Sequence, residues 1–453
     1  MNTVVAALRT QLHDNVFEYG DDEYAVATSP DNCSFSQHPR AVVRPSSPDQ
    51  LARTVKCAAA FGATIVVQST GHGAGRPIIG DKILLDTSAM NAVAINPSTR
   101  TAQVGAGARW RVVQESTWQH GLLGLSGTSP TVGVPGYIFG GGVGWLTRKH
   151  GLASAALRSV DYVDGTGQLR HASEDASDPV DREALWAFRG GGGIGIATSV
   201  EIDLFPIADL WTGYLLWPAA ALPDVADAWT RALESVTESV TSSLSLLHPP
   251  PVGPFPEELL GAPVVHLSYA SPDGRGGLDA MRDALHRAAT PIVDTTGPGD
   301  TASLSAIHLD PPSAVPGRGT GRWLSAAAAG VIEAMFDAAR VGKPDGLNMI
   351  ELRHTATQVT GVDGALATVP APFLLHAVAA AADDGARIHA DMTLRQLETA
   401  SHAAAIGRSA PSFCDGQPEI ADAFSPAEVA RLQEVRASLD PAHLFAVQRN
   451  STI

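Results

Sequence analysis

Two stretches of the chain carry side chains able to do chemistry. The first is "VVQSTGHGAGRP", residues 66–77, where Gly71, Gly73 and Gly75 alternate around His72 directly after a β-branched run. Glycine-rich backbone can turn its amides toward an anion with no Cβ in the way. The loop therefore suits a phosphate or pyrophosphate with an imidazole beside it; the alternative is a tight turn with a surface histidine. The second is "NMIELRH", residues 348–354. In a strand, Met349, Glu351 and Arg353 share one face. That face either aims Glu351 at a ligand, with Arg353 setting its charge, or carries a solvated ion pair. His308 in "AIHLDPP" and Tyr137 beside a glycine run are weaker candidates for proton transfer.

The elements that must position these residues follow from caps and periodicity. In "SSPDQLARTVKCAAAFG" Ser46 or Ser47 can cap, Pro48 suits the first turn, and Gly62 can end the helix in the left-handed region. "TIVVQ", "KILLD" and "RTAQVGAGA" read as strands, "RWRVVQESTWQHG" and "REALWAFRG" as helices, and "SVDYVDGTG" as a further strand. "TGYLLW", "SLSLLH", "VVHLSY" and "LNMIELRH" are well-separated strands. Between them a helix is expected from Pro223 to Val240, with Val225, Trp229, Leu233, Val236 and Val240 on one face. Strands with helical insertions imply an antiparallel sheet covered on one side. Ser425, Pro426 and Glu428 spell a capping box that opens a last helix.

Composition narrows the function. The 453 residues are 44% apolar and 17% charged, which requires more than one packed domain. A net charge of −16 without a Lys/Arg cluster argues against nucleic acid. No apolar run is long enough to span a bilayer, and the N-terminus reads as a cytoplasmic start. Cys33, Cys57 and Cys414 have neither disulfide nor metal spacing, and Cys57 reads as a buried small hydrophobe. No metal site is expected. "RGGGGIGIAT" is preceded by a helix and followed by a strand, the reverse of a Rossmann fingerprint. Together with "GVPGYIFGGGVGW" and the His72 loop it makes three glycine-rich segments. A ligand the size of a flavin dinucleotide fits them better than a mononucleotide.

Taken in order, these segments resemble the FAD-linked oxidoreductases of the vanillyl-alcohol oxidase type, in the berberine-bridge-enzyme-like branch. The resemblance is strong from about Arg40 to Pro206, weaker from Leu347 to Thr355, and returns in "LDPAHLFAVQRN". It implies an α+β fold: a PCMH-type FAD-binding domain of two α+β subdomains, plus a substrate domain with an antiparallel sheet covered by helices. The expected boundaries are 1–206 for the FAD-binding domain, 207–405 for the substrate domain, and 406–453 for a return to the first.

The family's G-G-H-S loop matches Thr70–Gly71–His72–Gly73, which implies a covalent bond from His72 to the 8α-methyl of FAD. The family's second link comes from a cysteine in G-x-C-P-x-V-G, where this chain has Ser129 in Gly127–Thr128–Ser129–Pro130–Thr131–Val132–Gly133. A single link is expected. Val132 falls where relatives admit or block oxygen; it is either a gate favouring an oxidase or a core valine. The resemblance puts the cofactor against Ser69, Thr70, Gly71, His72, Gly73 and Ala74, against Thr128, Ser129, Val132 and Gly133, and against Gly140, Gly141, Gly142, Val143 and Gly144. Gly193, Gly195 and Ile196 fall on the adenine side, and Gln448 and Asn450 at the C-terminal return.

The family's Y-x-N-Y-x-D motif is reduced here to Asp415 in "APSFCD", so a tyrosinate base from that motif is not expected. Glu351, Arg353 and Tyr137 are the catalytic candidates. The implied function is an FAD-dependent oxidase of secondary metabolism. It would transfer hydride from a small alcohol, amine, alkaloid or polyketide-type metabolite to the flavin, with O2 reduced to H2O2, as a monomer or homodimer. A dehydrogenase, an oxidative cyclase and a flavoprotein that sequesters a drug-like ligand are the alternatives.

Overall fold

Local sequence signals set the element ends. Ser47 accepts a hydrogen bond from the Gln50 amide at the start of the Pro48–Phe61 helix, and Gly62, at φ +63°, ends it. Ser425 and Glu428 form a reciprocal capping box on the Pro426–Leu439 helix. The computed structural model describes residues 3–249, 255–311, 313–327, 329–341, 346–417 and 422–446. Gln448 and Asn450 lie outside these described residues.

The N-terminal region contains two five-stranded sheets. One runs in the order Val16–Phe17, Gln37–Val43, Ile78–Asp86, Thr64–Gln68, Phe445–Ala446, with its last three pairings parallel. The other is antiparallel, ordered Val93–Asn96, Thr101–Gly105, Ile196–Asp203, Leu157–Val163, Leu169–Ser173. One hydrophobic core joins them, and Cys57 is buried in it as expected.

A nine-stranded antiparallel sheet forms the rest. Its central strands run Trp211–Pro218, Val264–Ser271, Thr241–Leu247, Leu347–His354, Phe373–Ala380 and Gly317–Leu324. Side chains alternate across each strand. One face carries Leu215, Trp217, Leu244, Leu246, Val265, Leu267, Ile350, Leu352, Leu375 and Ala377. Helices Leu222–Ala232, Gly276–Ala288, Ala329–Val341 and Asp384–Ser401 cover that face with Val225, Trp229, Met281, Leu285, Val331, Met335 and Leu394. Each large aliphatic side chain so buried contributes about 1.5–3 kcal/mol.

The fold is thus the expected α+β arrangement, with two differences. The helix expected to run to Val240 ends at Ala232. The chain leaves it through turns, with the Glu234 and Ser235 amides donating to the Arg231 and Ala232 carbonyls, and Thr237 O and Val240 O then accept from the Arg148 guanidinium. The strands Gly317–Leu324 and Phe373–Ala380 are additional. Glycines interrupt the first and alanines dilute the second, which hides their alternation in the sequence.

Candidate active site

The second face of the large sheet is polar and equally buried. Cross-strand register sets Leu216, His266, Ser245, Glu351, His376 and Gly321 in one row. Ser268, Ser243 and Arg353 form the next row. Glu351 and Arg353 are both fully buried, so the solvated-pair reading of this strand is overturned. Burial of a charged pair is tolerable only when partners replace water. Here Arg353 donates from Nε to Glu351 Oε1 at 2.8 Å, and Glu351 Oε2 lies 3.2 Å from His308 Nε2 and 3.3 Å from His376 Nδ1.

The Arg353 guanidinium also lies between two aromatic rings, 5.0 Å from the centroid of Trp145 and 5.3 Å from that of Phe413. Trp145 follows directly on the glycine run 140–144, so this contact ties the polar sheet face to the first region. His308 continues the network from Nδ1 to Asp310 Oδ1 at 2.7 Å.

These charges set one another. Burial works against ionising Glu351, but Arg353 and His308 outweigh it and hold its carboxyl well below the usual range. Burial also opposes a charge on His308, yet Asp310 and Glu351 raise it to about 9. Asp310 is held near about 2 against its own burial by His308, with the Thr128 hydroxyl and His72 adding to the effect. The network therefore reaches from the sheet to the His72 loop.

That loop is pinned from outside. Asp31 and Asn32 amides donate to the carbonyls of Thr70 and Gly71. Gly71 has φ +69°, and a Cβ there would fall 2.4 Å from Pro30 Cβ, so only glycine fits. Ala74 turns back onto the Gly71 carbonyl, and the His72 amide meets Thr70 Oγ1. Gly133 lies so close that a Cβ would be 2.9 Å from Ser69 Oγ, which brings Thr128, Ser129 and Val132 alongside. Ser129 Oγ pairs with Thr131 Oγ1 at 3.0 Å, and Val132 packs against the core edge while its carbonyl accepts from Trp110.

The remaining glycine positions separate into two kinds. Gly140, Gly141 and Gly144 spend their amides on Tyr137, Ile138 and Thr147. Gly142 and Val143 donate to no acceptor among the described residues, so they are the amides of this run left for a ligand. Gly193 follows Gly192, which sits against Phe139, so that turn lies beside Gly140. Gly195 abuts the Tyr162 ring, and Ile196 is a core residue, so only its backbone can meet a cofactor.

Tyr137 is buried edge-on to Trp110, 5.7 Å between ring centroids. Burial pushes its phenol far above the ordinary value. Its hydroxyl has no partner among the described residues, so as a neutral phenol it can donate a hydrogen bond to a ligand.

Several buried polar atoms lack a partner among the described residues: Ser69 Oγ, His72 Nδ1, Tyr137 Oη, Ser245 Oγ, His376 Nε2, Ser412 Oγ and both Arg353 Nη atoms. Buried polar groups are ordinarily satisfied. Orphans on both the glycine-loop side and the polar sheet face fit a large polar cofactor and a substrate lying between them. The residues present therefore fit FAD. Ser69 and His72 supply the orphans on the loop side, with Gly133 packed against Ser69.

His376, His266 and the joint role of His308 and Asp310 were missed from sequence. Their signal is period-two polarity: "VVHLSY", "SLSLLH" and "FLLHAVAA" each place His or Ser among aliphatics. Four strands with the same pattern make a buried polar face.

Residues 39–173 match the FAD binding domain family. The chain is 31% identical over 205 residues to (R)-6-hydroxynicotine oxidase of Paenarthrobacter nicotinovorans, covering 45% of this chain and 44% of that protein. The match thus spans less than half the length of that relative. Among solved structures, BBE-like 1 of Physcomitrella patens superposes with a TM-score of 0.82 at 19% identity, covering 99% of this chain and 98% of that one. The 6-hydroxy-D-nicotine oxidase of Arthrobacter nicotinovorans superposes with a TM-score of 0.80 at 21% identity, over 95% and 96% of the two chains. At these identities the superpositions establish a shared fold. Among the described residues no helix is long and apolar enough to cross a membrane.

Proposed function

We propose that the protein is an FAD-dependent oxidase of a small organic alcohol or amine, with FAD attached covalently through His72 alone. The observation that carries this reading is the fully buried Glu351–Arg353 pair, with its unpartnered Nη atoms, linked through His308 and Asp310 to Thr128 and the His72 loop. Support also comes from the relative named as an oxidase of a hydroxylated nicotine.

Bound FAD, held by the His72 loop and the glycine run 140–144, would supply a two-electron acceptor for the substrate's hydride, with O2 as the final oxidant giving H2O2. The chain's own residues handle the proton and the charge. His308, facing carboxylates from both nitrogens, is an imidazolium and a poor acceptor. His376 faces a carboxylate only from Nδ1. Glu351 thus holds the Nδ1–H tautomer and leaves the Nε2 lone pair to take the O–H or N–H proton. Glu351, with its oxygens already engaged by three donors, orients His376 instead of acting as the base. Arg353 offers its two Nη groups to negative charge on the bound ligands. Ser129 in the cysteine position supports a single flavin link, and Val132 supports access for oxygen.

The test is anaerobic mixing of purified holoprotein with a panel of cyclic amines, hydroxylated alkaloids and benzylic alcohols. Bleaching of the flavin by one of them, followed by rapid recovery of colour with one H2O2 per substrate on admitting air, is the expected result. Bleaching with slow recovery makes the protein a dehydrogenase. Tight binding without bleaching makes it a sequestering flavoprotein.

A further inference from the structure

His308, Glu351 and His376 are arranged as more than a hydrogen-bonded cluster. One nitrogen of each histidine and Glu351 Oε2 all lie within 4.8 Å of one another, and all three residues are buried. The contact lengths in this network fall into two groups. Arg353–Glu351 and His308–Asp310 are 2.8 and 2.7 Å, the usual span of a charge-assisted hydrogen bond. His308–Glu351 and His376–Glu351 are 3.2 and 3.3 Å, and both end on the same oxygen, Oε2. Those longer separations match the edges of a coordination polyhedron. With metal–ligand bonds of about 2.1 Å they subtend roughly 100° at a central ion.

We propose that His308 Nε2, His376 Nδ1 and Glu351 Oε2 form a site for one divalent transition-metal cation of the zinc class, and that its occupation blocks the proton acceptor. Two imidazoles and one carboxylate are a donor set of zinc type, and three protein ligands leave one coordination position open. Asp310 completes the arrangement from behind. It accepts from His308 Nδ1, so the proton that an incoming metal displaces is the one on Nε2, as with the carboxylate partner of a metal-bound histidine. Arg353 occupies only Oε1, so Oε2 stays available. Its positive charge weakens the site, and the negative Asp310 offsets that.

The inference rests on the proposed role of His376 only for its consequence. Metal on Nδ1 moves the ring proton to Nε2, the atom that otherwise takes the substrate proton. Metal-loaded protein is therefore unable to accept it, and zinc acts as an inhibitor of this site.

The test uses the flavin-loaded full chain, stripped with a chelator and titrated calorimetrically with zinc sulfate alone. The expected result is one equivalent bound, and the bound zinc retained through gel filtration. His308→Ala and His376→Ala lose it, and Asp310→Asn, which keeps all three ligands, binds about 10–100-fold more weakly. The flavin spectrum and melting curve of each stripped variant report folding. Failure of the wild-type protein to bind one equivalent overturns the site, as does unchanged zinc retention by both alanine variants. None of these readouts needs turnover. Zinc binding with no substrate ever bleaching the flavin leaves the site standing and removes only the oxidase reading.

Discussion

Glu351 and Arg353 sit two residues apart on one strand face and meet at 2.8 Å with neither side chain exposed to solvent. A pair in water at that distance is worth little, but here removing one member strands the other charge in the interior. The pair is also the junction of the sheet with the first region, because Arg353 stacks on Trp145. Glu351→Gln keeps the shape and removes the charge that orients His376. Its expected effect is a flavin reduction rate lowered about 10²–10⁴-fold, read by anaerobic stopped flow, with the flavin spectrum retained. Glu351→Ala, which leaves the buried Arg353 charge uncompensated, is expected to cost about 3–5 kcal/mol of stability, read by chemical denaturation.

His72 leaves Nδ1 unpartnered in a loop whose backbone is fixed from behind by Asp31 and Asn32. Acid precipitation of the wild-type protein is expected to give a yellow pellet, with the flavin peptide mapping to residues 66–77. His72→Ala should give a colourless pellet and a yellow supernatant. A colourless wild-type pellet would refute the covalent link while leaving FAD binding untouched.

The same loop makes a prediction about backbone. Gly71 has φ +69° and no room for a Cβ beside Pro30. Gly71→Ala is expected to cost about 1–3 kcal/mol from strain and to displace His72. The purified variant should show a lower flavin-to-protein absorbance ratio, and added FAD should restore it only in part.

Much of this arrangement is legible in the sequence, because its signals are local. The helix Pro48–Phe61 follows from Ser47, Pro48 and Gly62, and the Glu351/Arg353 face from strand alternation. The polar face was not read as a whole, because cross-strand register depends on pairing partners far apart in the chain. Glu351 and His376 are neighbours only because Leu347–His354 pairs with Phe373–Ala380. His308 reaches Glu351 from a turn after a short helix, a placement no periodicity encodes. The apolar period of the Leu222–Ala232 helix runs on to Val240 in the sequence, whereas the chain turns at Glu234 and Ser235 and is then held by Arg148, which lies far earlier in the chain.

Two histidines outside the network make stability depend on pH. Burial, reinforced by Lys149, lowers His150 to about 4, and burial with Arg148 nearby lowers His354 to about 3. Both are below the ordinary 6.5, so between these values the unfolded chain binds more protons than the folded one. Their contribution is full above about pH 6.5 and is lost as pH falls toward 4 and below. Melting temperature is expected to fall from pH 7.5 to pH 5. His354→Phe, which keeps the stack on Phe373, should flatten that decline. A profile in His354→Phe as steep as in wild type would exclude His354 as a source.

Arg148 bridges the two halves with no carboxylate in hydrogen-bond contact among the described residues. Its guanidinium donates to Ala356 O at 2.9 Å and Thr237 O at 2.8 Å, and it also meets Val240 O. Burial lowers it to about 10, still charged at neutral pH, with Glu238 partly offsetting the burial. Arg148→Met fills much of the volume but removes this donor from the Ala356 and Val240 carbonyls, at about 1–3 kcal/mol for each left buried and unpaired, while Thr237 O keeps the Val240 amide. Segment 233–240 should then loosen, because Thr237 and Val240 lose the bonds that tie it to Arg148. Limited proteolysis is expected to cut there in the variant and not in the wild type. The flavin should remain bound, since the His72 loop is untouched, while the Michaelis constant for substrate rises as the Ser243 strand shifts with the segment. Unchanged proteolysis and an unchanged Michaelis constant would show that Arg148 is not the clamp.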